Sequence, residues 1–255
     1  MSAAAPSALP ALRFAGVGKR YGRTVALDGC TFEVRHGECF GLVGVNGAGK
    51  TTLIKCLLDF CDMDAGSIDI YGVPHREERS RTRLAFLPER FNPPYYLTGR
   101  DFIAFVLSLQ GTPYVAAEVH ARLDALGLDP DALGRPVRTY SKGMTQKLGL
   151  AACIACRKDL YVLDEPTSGL DPLARARLKS ELKRLRAAGS TVFFSSHALA
   201  DVAEICDRMA LVHDGRLRFA GTPAELMAQH GAQNLEQAFL ACVEAPEGAE
   251  TRIPA

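Results

Sequence analysis

No run in this 255-residue sequence is both long and uncharged enough to cross a bilayer, so a membrane-spanning chain is not expected. The longest such run, Phe102 to Ala117, is interrupted by Gln110-Gly111-Thr112-Pro113. The start lacks the basic flank and apolar segment of a secretory signal, and residues 1–11, rich in alanine and proline, read as a loose tail. Neither charge dominates: 30 lysines and arginines face 29 acids, a net charge of +1. That balance gives no global electrostatic reason to expect nucleic acid as a partner, although it leaves a local basic patch open. The basic stretch from Arg175 to Arg186 is read as the solvated face of a helix. A disulfide framework is absent too, because the eight cysteines are scattered through apolar segments of a chain that is not small; they are expected to be reduced, in a cytosolic compartment. Cys153-x-x-Cys156 has the form of a redox or metal pair, but no second pair stands at zinc-finger spacing. Its surroundings, Ala151-Ala152-Cys153-Ile154-Ala155, read as a buried helix.

What is present is 47% hydrophobic and 23% charged residues, the composition of a globular chain able to bury a substantial core. Without solenoid repeats or low-complexity stretches, the organisation must come from alternating patterns. Strands are expected at 12–17, 31–34, 39–43, 67–71, 84–87, 160–163, 191–195, 209–212 and 216–220. Helices are expected at 50–59, 99–109, 114–126, 141–155, 172–188, 198–206 and 223–230. Strand followed by helix, repeated, predicts an α/β fold with a mainly parallel sheet covered on both faces. The early strands have no helices between them and predict an N-terminal antiparallel β subdomain. Residues 93–155, with several helices and hardly a strand, predict an α-helical subdomain inserted into the parallel core. The main domain is expected to span 12–231, and 232–255 to form a C-terminal tail with a short helix.

Gly44-Val45-Asn46-Gly47-Ala48-Gly49-Lys50-Thr51-Thr52 fits the pattern G-x-x-x-x-G-K-[ST], with the apolar strand 39–43 running in and a helix running out. Its glycines let successive backbone N–H groups turn towards phosphate oxygens, the helix start adds its positive dipole end, and Lys50 supplies a cation. Thr51 is the expected hydroxyl ligand of Mg²⁺, which makes a nucleoside triphosphate the expected ligand. The apolar strand Leu160-Tyr161-Val162-Leu163 ends in Asp164-Glu165. Two acids there would merely be solvated in another context, but beside a phosphate loop they place Asp164 near the metal and Glu165 near an attacking water.

The run Asp164-Glu165-Pro166-Thr167-Ser168-Gly169-Leu170-Asp171-Pro172 resembles the Walker B and D-loop segment of ABC ATPases, and the likeness covers most of the chain. The family's P-loop NTPase core is thereby implied. Tyr21 in Lys19-Arg20-Tyr21-Gly22 is similar to the family's adenine-stacking aromatic, although an ordinary turn aromatic would look the same. His197 after Ser195-Ser196 resembles the H-loop histidine, to which the family assigns contacts with the γ-phosphate and the catalytic glutamate. Tyr140-Ser141-Lys142-Gly143-Met144 stands where the signature motif belongs; Ser141 and Gly143 would cap a helix and also offer an anion site, two compatible uses. Ser168 and Asp171 take the D-loop positions.

Two positions depart from the commonest pattern. Lys142 adds positive charge to the signature, and Phe86-Leu87-Pro88-Glu89 puts a carboxylate where the family usually has glutamine, an oxygen for Mg²⁺ or water that cannot donate. Both variants, with Leu235-Glu236-Gln237-Ala238-Phe239-Leu240 near the C-terminus, resemble the ABC-2-type subgroup, mostly exporters. The resemblance implies an ATPase that works in pairs, Ser141 and Gly143 of one copy completing the ATP site of another. It also implies a separate transmembrane permease subunit, and hence a peripheral location on the cytoplasmic face of the inner or plasma membrane. The proline-stiffened loop Phe91-Asn92-Pro93-Pro94-Tyr95-Tyr96-Leu97 is the expected docking surface, unless the helical lobe packs those aromatics itself. ABC ATPases that act on DNA or ribosomes need long coiled-coil insertions or two ATPase domains in one chain, and neither is seen here.

Overall fold

Cys39–Val43 is an unbroken apolar run, and in the computed structural model, which describes residues 9–245, all five residues are buried. This is strand β3. A strand buried on both faces needs neighbours on either side and helices above and below, the situation of a parallel sheet. The sheet is completed by β6 (Leu84–Leu87), β7 (Leu160–Leu163), β8 (Thr191–Ser196), β9 (Arg208–His213) and β10 (Arg216–Gly221), in the order β10-β9-β3-β8-β7-β6. All neighbours are parallel except the hairpin β9–β10. Its register sets Val43 beside Ser196, Phe194 beside Leu163, and Leu163 beside Leu87. The loops after β3, β6, β7 and β8 therefore leave the sheet along one rim, where open α/β sheets bind ligands.

A second, antiparallel sheet has the order β2-β1-β4-β5, from β1 (Leu12–Tyr21), β2 (Thr24–Val34), β4 (Ala65–Ile70) and β5 (Val73–Pro74). Phe14 stacks on Phe32 at 4.4 Å and Phe32 on Phe40 at 5.5 Å, and Phe193 lies against Phe14 and Phe40, so aromatic rings join the two sheets. Strand β2 begins at Thr24 rather than at Thr31, and β1 runs on to Tyr21. The extra residues form a half-exposed hairpin whose charges, glycines and register shifts break the two-residue alternation that marks a strand. The two-residue β5 and the short helix Glu78–Arg81 carry no sequence signal of their own.

Helix α1 (Lys50–Leu57) follows the loop after β3, and α2 is the short Glu78–Arg81 turn. Between β6 and β7 lie α3 (Gly99–Leu109), α4 (Ala116–Leu126), two 3₁₀ turns at Pro130–Gly134 and Val137–Thr139, and α5 (Lys142–Ala155), the inserted helical region. Reciprocal bonds between Thr98 and Asp101 start α3, and the Ser141 hydroxyl accepts from the Met144 N–H to start α5. Phe102, Ile103, Leu123, Leu133 and Leu148 bury the lobe's interior in one core continuous with Tyr161, Phe194 and Leu211 of the parallel sheet. The remaining helices are α6 (Pro172–Ala187), α7 (Leu199–Ile205), α8 (Pro223–Gln229) and α9 (Leu235–Glu244). Helix α9 is longer than the expected Leu235–Leu240 segment, and it buries Leu235, Ala238, Phe239 and Cys242 in the same core. Residues 1–8 of the expected N-terminal tail, and 246–255, lie outside the described residues. Among the described residues no helix is long and apolar enough to cross a membrane.

Candidate functional site

The loop after β3 is pressed so closely by its surroundings that two of its glycines have no alternative. A Cβ on Gly44 would lie 2.3 Å from the Val212 carbonyl oxygen, and one on Gly49, at φ 111°, would lie 2.6 Å from that of Ala26. Gly49 also precedes α1 without capping it by a side chain, so the N–H groups of the first turn point to the loop without a side-chain acceptor. Lys50 turns back beneath the loop: its Nζ donates to the carbonyls of Gly44 at 2.6 Å and Val45 at 3.2 Å and lies 3.6 Å from Glu165 Oε1. Only 6% of Lys50 is exposed. A charge buried to that degree requires such partners.

Asp164 and Glu165 are also buried, and one serine on the neighbouring strand holds both. The Ser195 hydroxyl donates to Asp164 Oδ1 at 2.5 Å, and the Glu165 N–H donates to the same Ser195 oxygen at 2.8 Å. Glu165 has φ 48°, a left-handed conformation uncommon for a non-glycine residue and a recurrent mark of functional positions. His197 Nδ1 lies 2.8 Å from Glu165 Oε2, with most of the imidazole exposed. Glu165 is thus bracketed, one carboxylate oxygen towards the Lys50 cation and the other towards His197.

Asn46, Gly47, Ala48, Gly49, Lys50, Thr51, Thr52, Glu89, Glu165, Ser168 and His197 line one cleft. Asp164 joins Thr51 and Glu89 in the adjoining groove, whose walls are Ile54, Phe60, Phe86, Pro88 and Arg90. Tyr21 ends β1 at the hairpin beside the cleft, and the neighbouring Cys61 thiol holds its pKa above the usual phenol value. Ser141 and Gly143 are not in the cleft: Ser141 caps α5, and Gly143 packs beside the Gly169 carbonyl. Asp171 caps α6 by accepting from the Ala174 N–H, a bond that lowers its pKa. Gln146 Nε2 donates to the Pro166 carbonyl at 3.2 Å and the Lys142 stem lies on Gly169, tying the start of α5 to the 166–171 loop.

Thr51, Asp164 and Glu89 offer oxygen donors only, the set a hard cation such as Mg²⁺ prefers. Among the described residues no three His, Cys, Asp or Glu side chains are grouped to hold a metal unaided, so phosphate oxygens would have to complete its shell. Cys153 and Cys156 are buried in α5; burial raises both thiols, that of Cys156 to about 11, so at neutral pH they pack as small apolar side chains. The loop before α3 divides: Phe91 packs edge-on to Phe102 at 5.4 Å, whereas Tyr95 and Tyr96 remain 68% and 69% exposed.

Two features of the site have no local sequence signal. Ser195 stands in the H-loop segment at the end of an apolar strand, but its hold on Asp164 and Glu165 depends on β8 lying beside β7. Thr24, Val25 and Ala26 line the cleft from the hairpin whose start was misplaced.

Residues 27–168 match the family model described as "ABC transporter". Over 218 residues the chain is 41% identical to an uncharacterised ABC transporter ATP-binding protein of Nostoc sp., covering 83% of this chain and 63% of that protein. It is 36% identical to a Nod factor export ATP-binding protein I of Ralstonia nicotianae, covering 86% and 69%. The chain spans 63% and 58% of the length of the Nostoc protein and a Synechocystis relative, so both extend beyond it. Among solved structures, an ATP-binding subunit of an ABC transporter superposes with a TM-score of 0.83 at 29% identity, covering 91% of this chain and 99% of that one. A dimeric ATP-binding cassette bound to ADP and Pi shares the fold, with a TM-score of 0.75 at 18% identity, covering 83% and 98%.

Proposed function

This chain belongs to the ABC transporter family, and from that premise we propose that it binds and hydrolyses ATP to drive transport through a separate transmembrane permease. The observation that carries the reading is Glu165, held between Lys50 and His197 inside the phosphate-loop cleft. In this reading the loop N–H groups and Lys50 hold the phosphates, and Tyr21 stacks on the base. A water attacks the γ-phosphorus in line while Glu165 accepts its proton, the bridging oxygen leaves with ADP, and His197 and Lys50 stabilise the developing charge. Thr51, Asp164 and Glu89 would hold Mg²⁺, which neutralises phosphate charge when bound.

Ser141 and Gly143 start a helix outside their own cleft, which supports a site completed by a second copy, with Ser168 and Asp171 at the seam. The exposed Tyr95 and Tyr96 and the groove holding Phe60 and Phe86 supply an apolar surface for the permease, and Glu89 lines both that groove and the cleft. The protein would then act peripherally on the cytoplasmic face of the membrane. Export is the direction we infer, because relatives include proteins named for export.

Glu165→Gln tests the reading. It keeps the shape of the side chain but not the base, so ATP binding should persist, phosphate release should fall by about 10²–10⁴-fold, and an ATP-bound pair should accumulate on gel filtration. Turnover within a few-fold of the parent would remove Glu165 from this role.

A further inference from the structure

Helix α1 begins at the phosphate loop and ends beside a pair of thiols. Cys56, in its last turn, is fully buried; Cys61, just past its end, is half-buried, and the two sulfurs lie 3.6 Å apart. The backbone doubles back between them through Asp59 at φ 60°, with the Asp59 N–H bonded to the Cys56 carbonyl and the Phe60 N–H to that of Lys55. Closing the remaining gap to a bond of about 2.05 Å asks for a shift of this turn. The turn is also joined to the hairpin bearing Tyr21: the Asp64 N–H donates to the Gly18 carbonyl, and Asp64 Oδ2 accepts from the Arg20 N–H at 2.6 Å. Tyr21 is the next residue along that hairpin, and the Cys61 thiol is near enough to help raise its pKa.

We propose that Cys56 and Cys61 form a reversible disulfide on meeting a low-molecular-weight disulfide such as oxidised glutathione, and that this weakens ATP binding by displacing Tyr21. The effect on ATP rests on the reading of Tyr21 as the base contact; the disulfide itself does not. Cys61, the accessible thiol, attacks one sulfur of glutathione disulfide as its thiolate, forming a mixed disulfide and expelling one glutathione thiolate, which takes up the proton lost by Cys61. Cys56 then attacks the Cys61 sulfur and expels the second glutathione, which takes up the proton of Cys56. Two protein thiols are oxidised and one glutathione disulfide is reduced to two thiols. Burial pushes the Cys56 thiol up to about 12, which makes its step the slow one. Disulfide formation draws the turn towards α1, and the bonds of Asp64 to Gly18 and Arg20 carry the end of the hairpin and Tyr21 with it.

The full chain is incubated with oxidised glutathione, its bonds are mapped by peptide mass, and its ATP affinity is measured by calorimetry. The expected map joins Cys56 to Cys61, and affinity falls about fivefold, the lower end of what losing one base–aromatic stack costs. Dithiothreitol restores it, Cys61→Ser keeps its affinity in the same oxidant, and Cys56→Ser stops at glutathione on Cys61. Free thiols at both positions, a different pair on the map, or the mapped disulfide with unaltered affinity would overturn the proposal. If Tyr21→Ala leaves the affinity of the reduced protein unchanged, the base contact fails and with it the coupling to ATP, while the disulfide stands or falls on the peptide map.

Discussion

The end of β7 and the start of α5 both bear groups suited to a phosphate site, but the fold treats them differently. At the end of β7 each group is buried and tied: Asp164 to Ser195, Glu165 to Lys50 and His197, Lys50 to two loop carbonyls. At the start of α5, Ser141 and Lys142 are exposed, while Gln146 and the Lys142 stem tie inward to the 166–171 loop. The first arrangement is assembled by its own sheet. The second is a helix start braced on a loop of its own chain, and under the proposed reading one half of the chemistry lies inside the chain and the other half at its surface.

The largest expected effect comes from the assembled side. Lys50→Ala removes a cation with at least two charge-assisted bonds to offer a phosphate and leaves Glu165 with one partner fewer. ATP affinity should fall about hundredfold, at about 1.5–3 kcal/mol for a bond to a charged group. Calorimetry on the isolated chain reads this directly, and an unchanged affinity would sink the phosphate-loop assignment.

Ser141→Ala probes the surface side and should behave otherwise. If Ser141 serves the site of another copy, ATP affinity measured on dilute, unpaired chains stays that of the parent. ATP-driven pairing in a Glu165→Gln background, read by analytical ultracentrifugation, weakens about tenfold for one lost bond to a charged phosphate. Losing the cap costs about 1 kcal/mol of stability as well, which a melting curve reports. A drop in single-chain affinity equal to that in pairing would collapse the contrast between the two regions.

How much of this was legible beforehand depends on whether a feature is local. The phosphate loop, the acids after Leu163 and the helix start at Ser141 are runs of adjacent residues whose chemistry is dictated by their immediate neighbours, and each was readable as a candidate from the sequence alone. The parallel core was equally plain, because strands buried on both faces are short apolar words between helices. Ser195 was not legible as the residue that holds Asp164 and Glu165, since that depends on which strand lies beside which. The hairpin 18–30 was half-legible for a different reason: register shifts in its pairing, with polar and glycine residues on an exposed edge, erase the alternation that announces a strand. The contact between Cys56 and Cys61 had no sequence signal, for it arises from a left-handed turn at an aspartate, Asp59, where glycine would be expected.

The smallest expected effect belongs to Lys142, and it sharpens the comparison most. Its stem lies on Gly169, but among the described residues its ammonium has no hydrogen bond or ion pair. A free cation on an exposed helix start adds only a screened attraction for an anion presented by another copy, on the order of 0.2–1 kcal/mol. Lys142→Ala should therefore weaken ATP-driven pairing by about two- to fivefold at low salt, with single-chain ATP affinity unchanged. At about 0.5 M salt the difference from the parent should vanish, because the screening length is then only a few ångströms. Lys142→Arg should retain most of the low-salt advantage, since charge is what matters at that distance. A loss that persists at high salt would mean that Lys142 acts through its packing on Gly169, and that the start of α5 is braced by its own chain more firmly than its exposure suggests.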